Sequence, residues 1–199
     1  MSERGVSGRM GGEYHRRAVL ASVGVAGLGA FAGCLEGDSA PEAPDPITID
    51  SSAICDNCTM PIVDHPGPVG QSFYDDPEAV LGGGDDRPAQ FCSSLCTYAF
   101  TFEHDDHEPT VTYLTDYSTV DYEIDTGGDE PEISSHVEAD AFGEVTTLTL
   151  IVDSEVQGAM GASMIGFSEA DDAEAFEAEH GGGAYEHGDV DRELVMSLM

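Results

Sequence analysis

Strand-like patterns dominate the apolar positions of this chain. Residues 110–117 and 119–124 alternate apolar and polar side chains with the period of two expected of half-buried strands. Residues 146–152 (TTLTLIV) are the most strand-like run, rich in β-branched side chains. Shorter runs at 47–49, 61–63, 69–74, 88–91 and 164–167 read as further strands, separated by turn chemistry such as His65-Pro66-Gly67-Pro68 and the GGGDD of residues 82–86. Two segments predict helices. Ser93 or Ser94 can N-cap one that runs to about His104, with Leu95, Ala99 and Phe102 on a face shared with Cys96. Ser168 and Asp171 have capping-box spacing and open another that runs to His180, where three glycines stop it. The order strand, strand, helix, strand occurs twice, which predicts the α+β class with two similar halves.

The first 34 residues follow another pattern. His15-Arg16-Arg17 leads into an unbroken apolar, Gly and Ser run at 18–32, followed by Gly33-Cys34. The run falls short of the ~20 residues a membrane-spanning helix needs, and its charged, apolar, small order is that of an export signal. The paired arginines make it similar to a twin-arginine signal, and Phe31-Ala32-Gly33-Cys34 resembles a lipobox, in which the cysteine takes the lipid. Residues 1–34 are therefore expected to be a lipoprotein-type signal with Cys34 as lipid anchor. Residues 35–46 follow as an acidic, Pro-rich tether, and the body is held to the membrane on its extracytoplasmic face. An uncleaved signal anchor would leave the body on the same side.

Charge narrows the partners. The formal net charge is −34, there is no lysine, and only Arg87 and Arg192 of the six arginines follow residue 35. So acidic a body repels nucleic acid and anionic lipid surfaces. Self-repulsion of this size is tolerated where salt is abundant, which points to a halophilic setting. A hydrophobic content of 40% sets the chain apart from disordered acidic proteins.

The candidate chemistry is concentrated in residues 55–65 (CDNCTMPIVDH), where two thiols, a thioether and an imidazole fall within eleven positions. Soft sulfur donors select Cu(I) over Mg²⁺ or Ca²⁺. Cys58 and Met60 flank one residue, so an extended backbone directs both to the same side. Cys55 is odd-spaced from that side and is an additional candidate, His65 lies across a tight turn, and Met160 stands in a glycine-flanked loop. Cys92 and Cys96 are candidate auxiliary thiols. Together with Cys55 and Cys58 they also allow another account, a closed four-thiolate Zn²⁺ site stabilising an extracellular interaction module. A thioredoxin-like role for the CxxC pair lacks the βαβ context such motifs occupy.

Several segments in this order resemble the NosL family of nitrous oxide reductase accessory lipoproteins. They are Cys55-x-x-Cys58-x-Met60-x-Ile62 with Asp64-His65-Pro66-Gly67, Gln90-Phe91-Cys92, Gly158-Ala159-Met160-Gly161, and the stretch from Phe167-Ser168 to Glu179-His180-Gly181-Gly182. The resemblance covers most of residues 50–187. It implies a Cu(I)-binding lipoprotein, not an enzyme, that supplies copper to the components maturing nitrous oxide reductase. It further implies two ββαβ modules with small antiparallel or mixed sheets, set here at 47–108 and 109–199, and a kinship in fold to organomercurial lyase. On this basis the expected copper ligands are Cys58 and Met60 with Met160 or His65, and Cys55 in support. Ala159 and Cys96 depart from the usual family pattern.

The charge pattern yields a first prediction. Two arginines face nearly all of the 40 carboxylates, and the range of their repulsion shrinks from ~10 Å at 0.1 M salt to ~3 Å at 1 M. The thermal midpoint of the body should therefore rise between about 0.1 M and about 2 M KCl in a calorimetric scan; an unchanged or lower midpoint contradicts the halophilic reading.

Overall fold

The computed structural model describes residues 43–83 and 86–199. The expected signal at 1–34, its anchor Cys34 and all but the end of the tether lie outside the described residues.

The described chain builds the same unit twice. In the first half β1 (Gly70–Phe73), a short α1 (Pro77–Leu81), β2 (Ala89–Phe91), α2 (Ser94–Glu103) and β3 (Val111–Thr115) follow one another. Strand β1 is central, antiparallel to β2 through Gly70↔Phe91 and to β3 through Gly70↔Leu114. After the two-residue strands β4 (Ile124–Asp125) and β5 (Glu132–Ile133), β6 (Phe142–Glu144) adds to the far side of β3. The second half contains β7 (Thr149–Gly158), β8 (Gly161–Phe167), α3 (Ala170–His180) and β9 (Gly183–Tyr185), and α4 (Arg192–Leu198) ends the chain. Strand β7 is again central, antiparallel to β8 on one side and to β9 on the other, while β5 joins it in parallel farther along. These are two ββαβ units with small antiparallel and mixed sheets, and the fold is α+β. Strand β3 lies past residue 108, yet its ladder is with β1, so the first sheet draws its third strand from beyond the expected 47–108 span.

Packing explains where the local pattern and the structure differ. Residues 47–49 form no strand; Ile49 is buried and its N–H donates to Val137 O at 2.9 Å. Residues 61–63 contribute only an isolated bridge, Ile54↔Pro61. Most of 119–124 is irregular, because Val120, Tyr122 and Ile124 face the third core from a loop and make no ladder until Ile124. The capping box at Ser168 does not form: Glu169 is the N-cap, and the Ser168 N–H donates to Asp116 Oδ1.

Helix α2 is caught between the two halves. Ser93 caps it by accepting from Cys96 N at 3.0 Å. Its buried residues point in two directions, with Cys96 and Phe100 in a core with Phe91 and Cys92, and Leu95 and Tyr98 in a core with Leu148, Leu150 and Met164 from the second half. The expected single face shared by Leu95, Ala99, Phe102 and Cys96 is therefore split, since both sides of the helix are covered. Close approach to β1 requires Gly70, where a Cβ would lie 2.3 Å from Thr97 Oγ1. In β7 and β8 the period of two separates Leu150, Val152 and Met164 from Ile151 and Ile165, which enter a third core against Phe176 of α3.

Buried Asp116 links the halves. Its Oδ1 accepts from the N–H groups of Ser118 and Ser168, each at 3.0 Å, and Asp116 bridges in parallel to Gly166. Asp116→Ala leaves two N–H groups without this acceptor and should cost about 1.5–3 kcal/mol. Asp116→Asn keeps an acceptor oxygen and should cost less, as read from urea unfolding at fixed salt.

Candidate metal centre

The first thiol pair sits on a loop closed by its own backbone. Cys55 N–H donates to Met60 O at 2.8 Å, Thr59 N–H donates to Cys55 O at 2.9 Å, and Ile62 N–H donates to Ala53 O at 3.0 Å. The turn needs Thr59 at φ 65°, a left-handed conformation unusual for a β-branched residue.

A carboxylate between the two cysteines fastens this loop to β2. Asp56 Oδ2 and Oδ1 accept from Arg87 Nη1 and Nη2 at 2.7 and 2.8 Å, and Oδ2 also accepts from Gln90 N at 2.7 Å. In return Asp56 N–H donates to Gln90 O at 2.9 Å. A bidentate, charge-assisted pair of this kind fixes orientation as well as position. Two residues beyond Gln90, the chain leaves β2 at Cys92 and enters α2, whose first turn carries Cys96.

The result is a cluster of four free thiols whose Sγ atoms all lie within 4.8 Å of one another: Cys55, Cys58, Cys92 and Cys96. Cys58 Sγ is 3.4 Å from Cys92 Sγ, and Cys92 Sγ is 3.8 Å from Cys96 Sγ. Cys55, Cys92 and Cys96 are 1%, 0% and 1% exposed, whereas Cys58 is half-buried. Met60 of the loop and Met160 of the β7–β8 turn, both half-buried, pack against the core that holds the buried thiols. His65 is half-buried and does not join the four-sulfur group, which contains no histidine or carboxylate.

The thiols share hydrogen bonds, and this sets their ionisation. Cys92 and Cys96 donate toward Cys55, whose pKa falls far below the ordinary thiol value; backbone N–H groups of Cys58 and Cys92 add to the shift against the opposing effect of burial. The bond to Cys55 pushes Cys92 far up, and the corresponding bond pushes Cys96 up to about 12.

Such a donor set suits soft metal ions. Tetrahedral Zn²⁺ with Zn–S of about 2.3 Å requires sulfurs about 3.8 Å apart, and Cu(I) accepts thiolate and thioether donors alike. Sequence reasoning picked out Cys55, Cys58, Met60 and Met160 but gave Cys92 and Cys96 a secondary place, and it missed Asp56, Arg87 and Gln90. The available signal was the CxxxC spacing around a Ser cap, which puts one thiol just before a helix start and the other in its first turn; the clamp had none beyond an acid inside CxxC.

Comparison with known proteins agrees with the fold. The family model described as NosL matches residues 46–195. The protein named copper-binding lipoprotein NosL, from Stutzerimonas stutzeri, is 26% identical over 163 residues, covering 82% of this chain and 75% of its own length. The crystal structure of the copper chaperone NosL from Shewanella denitrificans matches with a TM-score of 0.57 at 25% identity, over 73% of this chain and 94% of that one. With a match that spans most of its length, a corresponding fold and a soft-donor cluster inside the matched region, this chain belongs to the NosL family.

Proposed function

We propose that this protein is a metallochaperone, not an enzyme, that takes Cu(I) and delivers it to the copper-accepting components of nitrous oxide reductase maturation. Support comes from one observation above all: a cluster of four thiols in which Cys58 is half-buried and the other three are closed off, with the half-buried Met60 and Met160 packed against the same core. In this reading the cargo ion is held by the Cys58 thiolate and the Met60 and Met160 thioethers. Met160 is the better third donor than His65, because it packs against the thiol-bearing core and His65 stands outside the four-sulfur group. Three mixed soft donors protect Cu(I) while leaving a side from which a recipient's ligands can enter. The protein works from the extracytoplasmic face of the membrane, held by a lipid on Cys34, in a salt-rich setting that screens its acidic surface.

A second reading is favoured by the sulfur spacing. Separations of 3.4 and 3.8 Å suit a closed four-thiolate Zn²⁺ site, which would make the protein a zinc-stabilised interaction module. Metal analysis separates the two: stoichiometric zinc that Cu(I) does not displace establishes the module and removes the carrier.

Competition against a Cu(I) chelator tests the cargo site. Cys58→Ala should weaken binding by more than the ~10–100-fold that loss of an outer-shell partner costs; Met60→Ala should have a smaller effect than Cys58→Ala, and Asp56→Ala, which releases the loop, should fall within that ~10–100-fold range. Uptake requires a thiolate, so it should release protons and weaken as pH falls. Equal affinity for Cys58→Ala and the unaltered protein would remove the assignment.

Anchoring is tested apart from metal. Cys34→Ser should move the protein from the membrane fraction to the soluble fraction with copper binding intact, and retention in the membrane would instead favour an uncleaved signal anchor.

A further inference from the structure

We propose that a second Cu(I) binds beneath the cargo ion, held by the three buried thiols Cys55, Cys92 and Cys96. This inference rests on the Cu(I)-carrier reading and extends it from one ion to two.

Four thiols converge here, two thioethers, Met60 and Met160, pack against the same core, and burial divides these six soft donors into two sets of three. The outer set, Cys58, Met60 and Met160, is half-buried. The inner set is closed off at 1%, 0% and 1% exposure, and its sulfurs belong to the group lying within 4.8 Å of one another. The 3.8 Å between Cys92 and Cys96 Sγ matches two thiolates on one ion at metal–sulfur distances of about 2.3 Å. At 3.4 Å from Cys92, Cys58 is the link between the sets and can bridge the two ions.

The cargo site leaves the inner thiols without a role, although three buried cysteines are costly to keep reduced and unpaired in a compartment where disulfides form. A resident metal accounts for them. Charge favours metal as well: among the described arginines, Arg87 is engaged by Asp56, and Arg192 lies 3.9 Å from Asp105 on the far end of α2. A cation bound between the thiolates supplies the positive charge that buried anions need. The two positions differ in exchange. Three thiolates under a closed surface retain their ion, while one thiolate and two thioethers at the opening release theirs.

The full chain, reduced and free of oxygen, is titrated with Cu(I) against bicinchoninate and followed by native mass spectrometry. The unaltered protein should take two equivalents, the first more tightly than the second. Cys96→Ser should take one, with the affinity of the second equivalent of the unaltered protein, and Met60→Ala should keep the first equivalent unchanged. X-ray absorption of the unaltered protein, which needs no variant to fold, should show copper in an all-sulfur shell at one equivalent and copper–copper scattering only at two. Saturation at one equivalent, or a Cys96→Ser protein that binds as much copper as the unaltered one, overturns the inner site while leaving the carrier standing. Failure to bind any Cu(I), or zinc that copper cannot displace, overturns the carrier reading itself.

Discussion

The Asp56 carboxylate is the contact on which the metal centre depends. It lies in the turn between Cys55 and Cys58, is 14% exposed, and takes both guanidinium nitrogens of Arg87 and the N–H of Gln90. Without it the CxxC loop is left with the backbone hydrogen bond from Asp56 N–H to Gln90 O of β2, and the burial of Cys55 and Ile62, to position it. With it, the loop lies against β2 two residues before Cys92, and the four sulfurs come within 4.8 Å of one another. Burial raises the worth of such a pair and also the penalty for leaving either partner alone. A chain that has only two arginines after residue 35 uses one of them here.

The second constraint is the position of α2. Its capped first turn carries Cys96, its Phe100 side closes the thiol core, and its Leu95 and Tyr98 side packs on the second half. The thiol cluster therefore lies beside the seam of two similar ββαβ units, and Met160 of the β7–β8 turn in the second packs against its core. Two small sheets, each too short to bury a helix on both sides, cover α2 jointly.

Electrostatics at the centre and on the surface act in opposite directions. Over the surface, like charges repel and salt relieves them. Inside the cluster, shared hydrogen bonds lower the pKa of Cys55 and raise those of Cys92 and Cys96, so the buried thiols differ in how readily each gives up its proton. Metal uptake and proton release are consequently coupled.

Much of this was legible in the sequence because it is local. Alternation within 110–117, the Ser93 cap and the helix ended by Gly181 became structure, since each depends on neighbours a few residues apart. Of the β-branched run 146–152 only the part from Thr149 is strand, Val145–Thr147 forming a 3-10 turn. The sulfur-rich loop was likewise visible in the sequence, but the extended backbone expected through Cys58 and Met60 is a turn with Thr59 at φ 65°. Alternation at 119–124 misled, because apolar side chains facing a core leave the same trace whether or not the backbone finds a ladder partner. What the tertiary structure alone decided was convergence. Cys92 stands 34 residues after Cys58 and Met160 a hundred after Met60, and no local pattern carries such distances. They are set by antiparallel pairing of β1 with β2, by the Asp56 clamp, and by burial of both sides of α2, which together bring the β2–α2 junction beneath the loop.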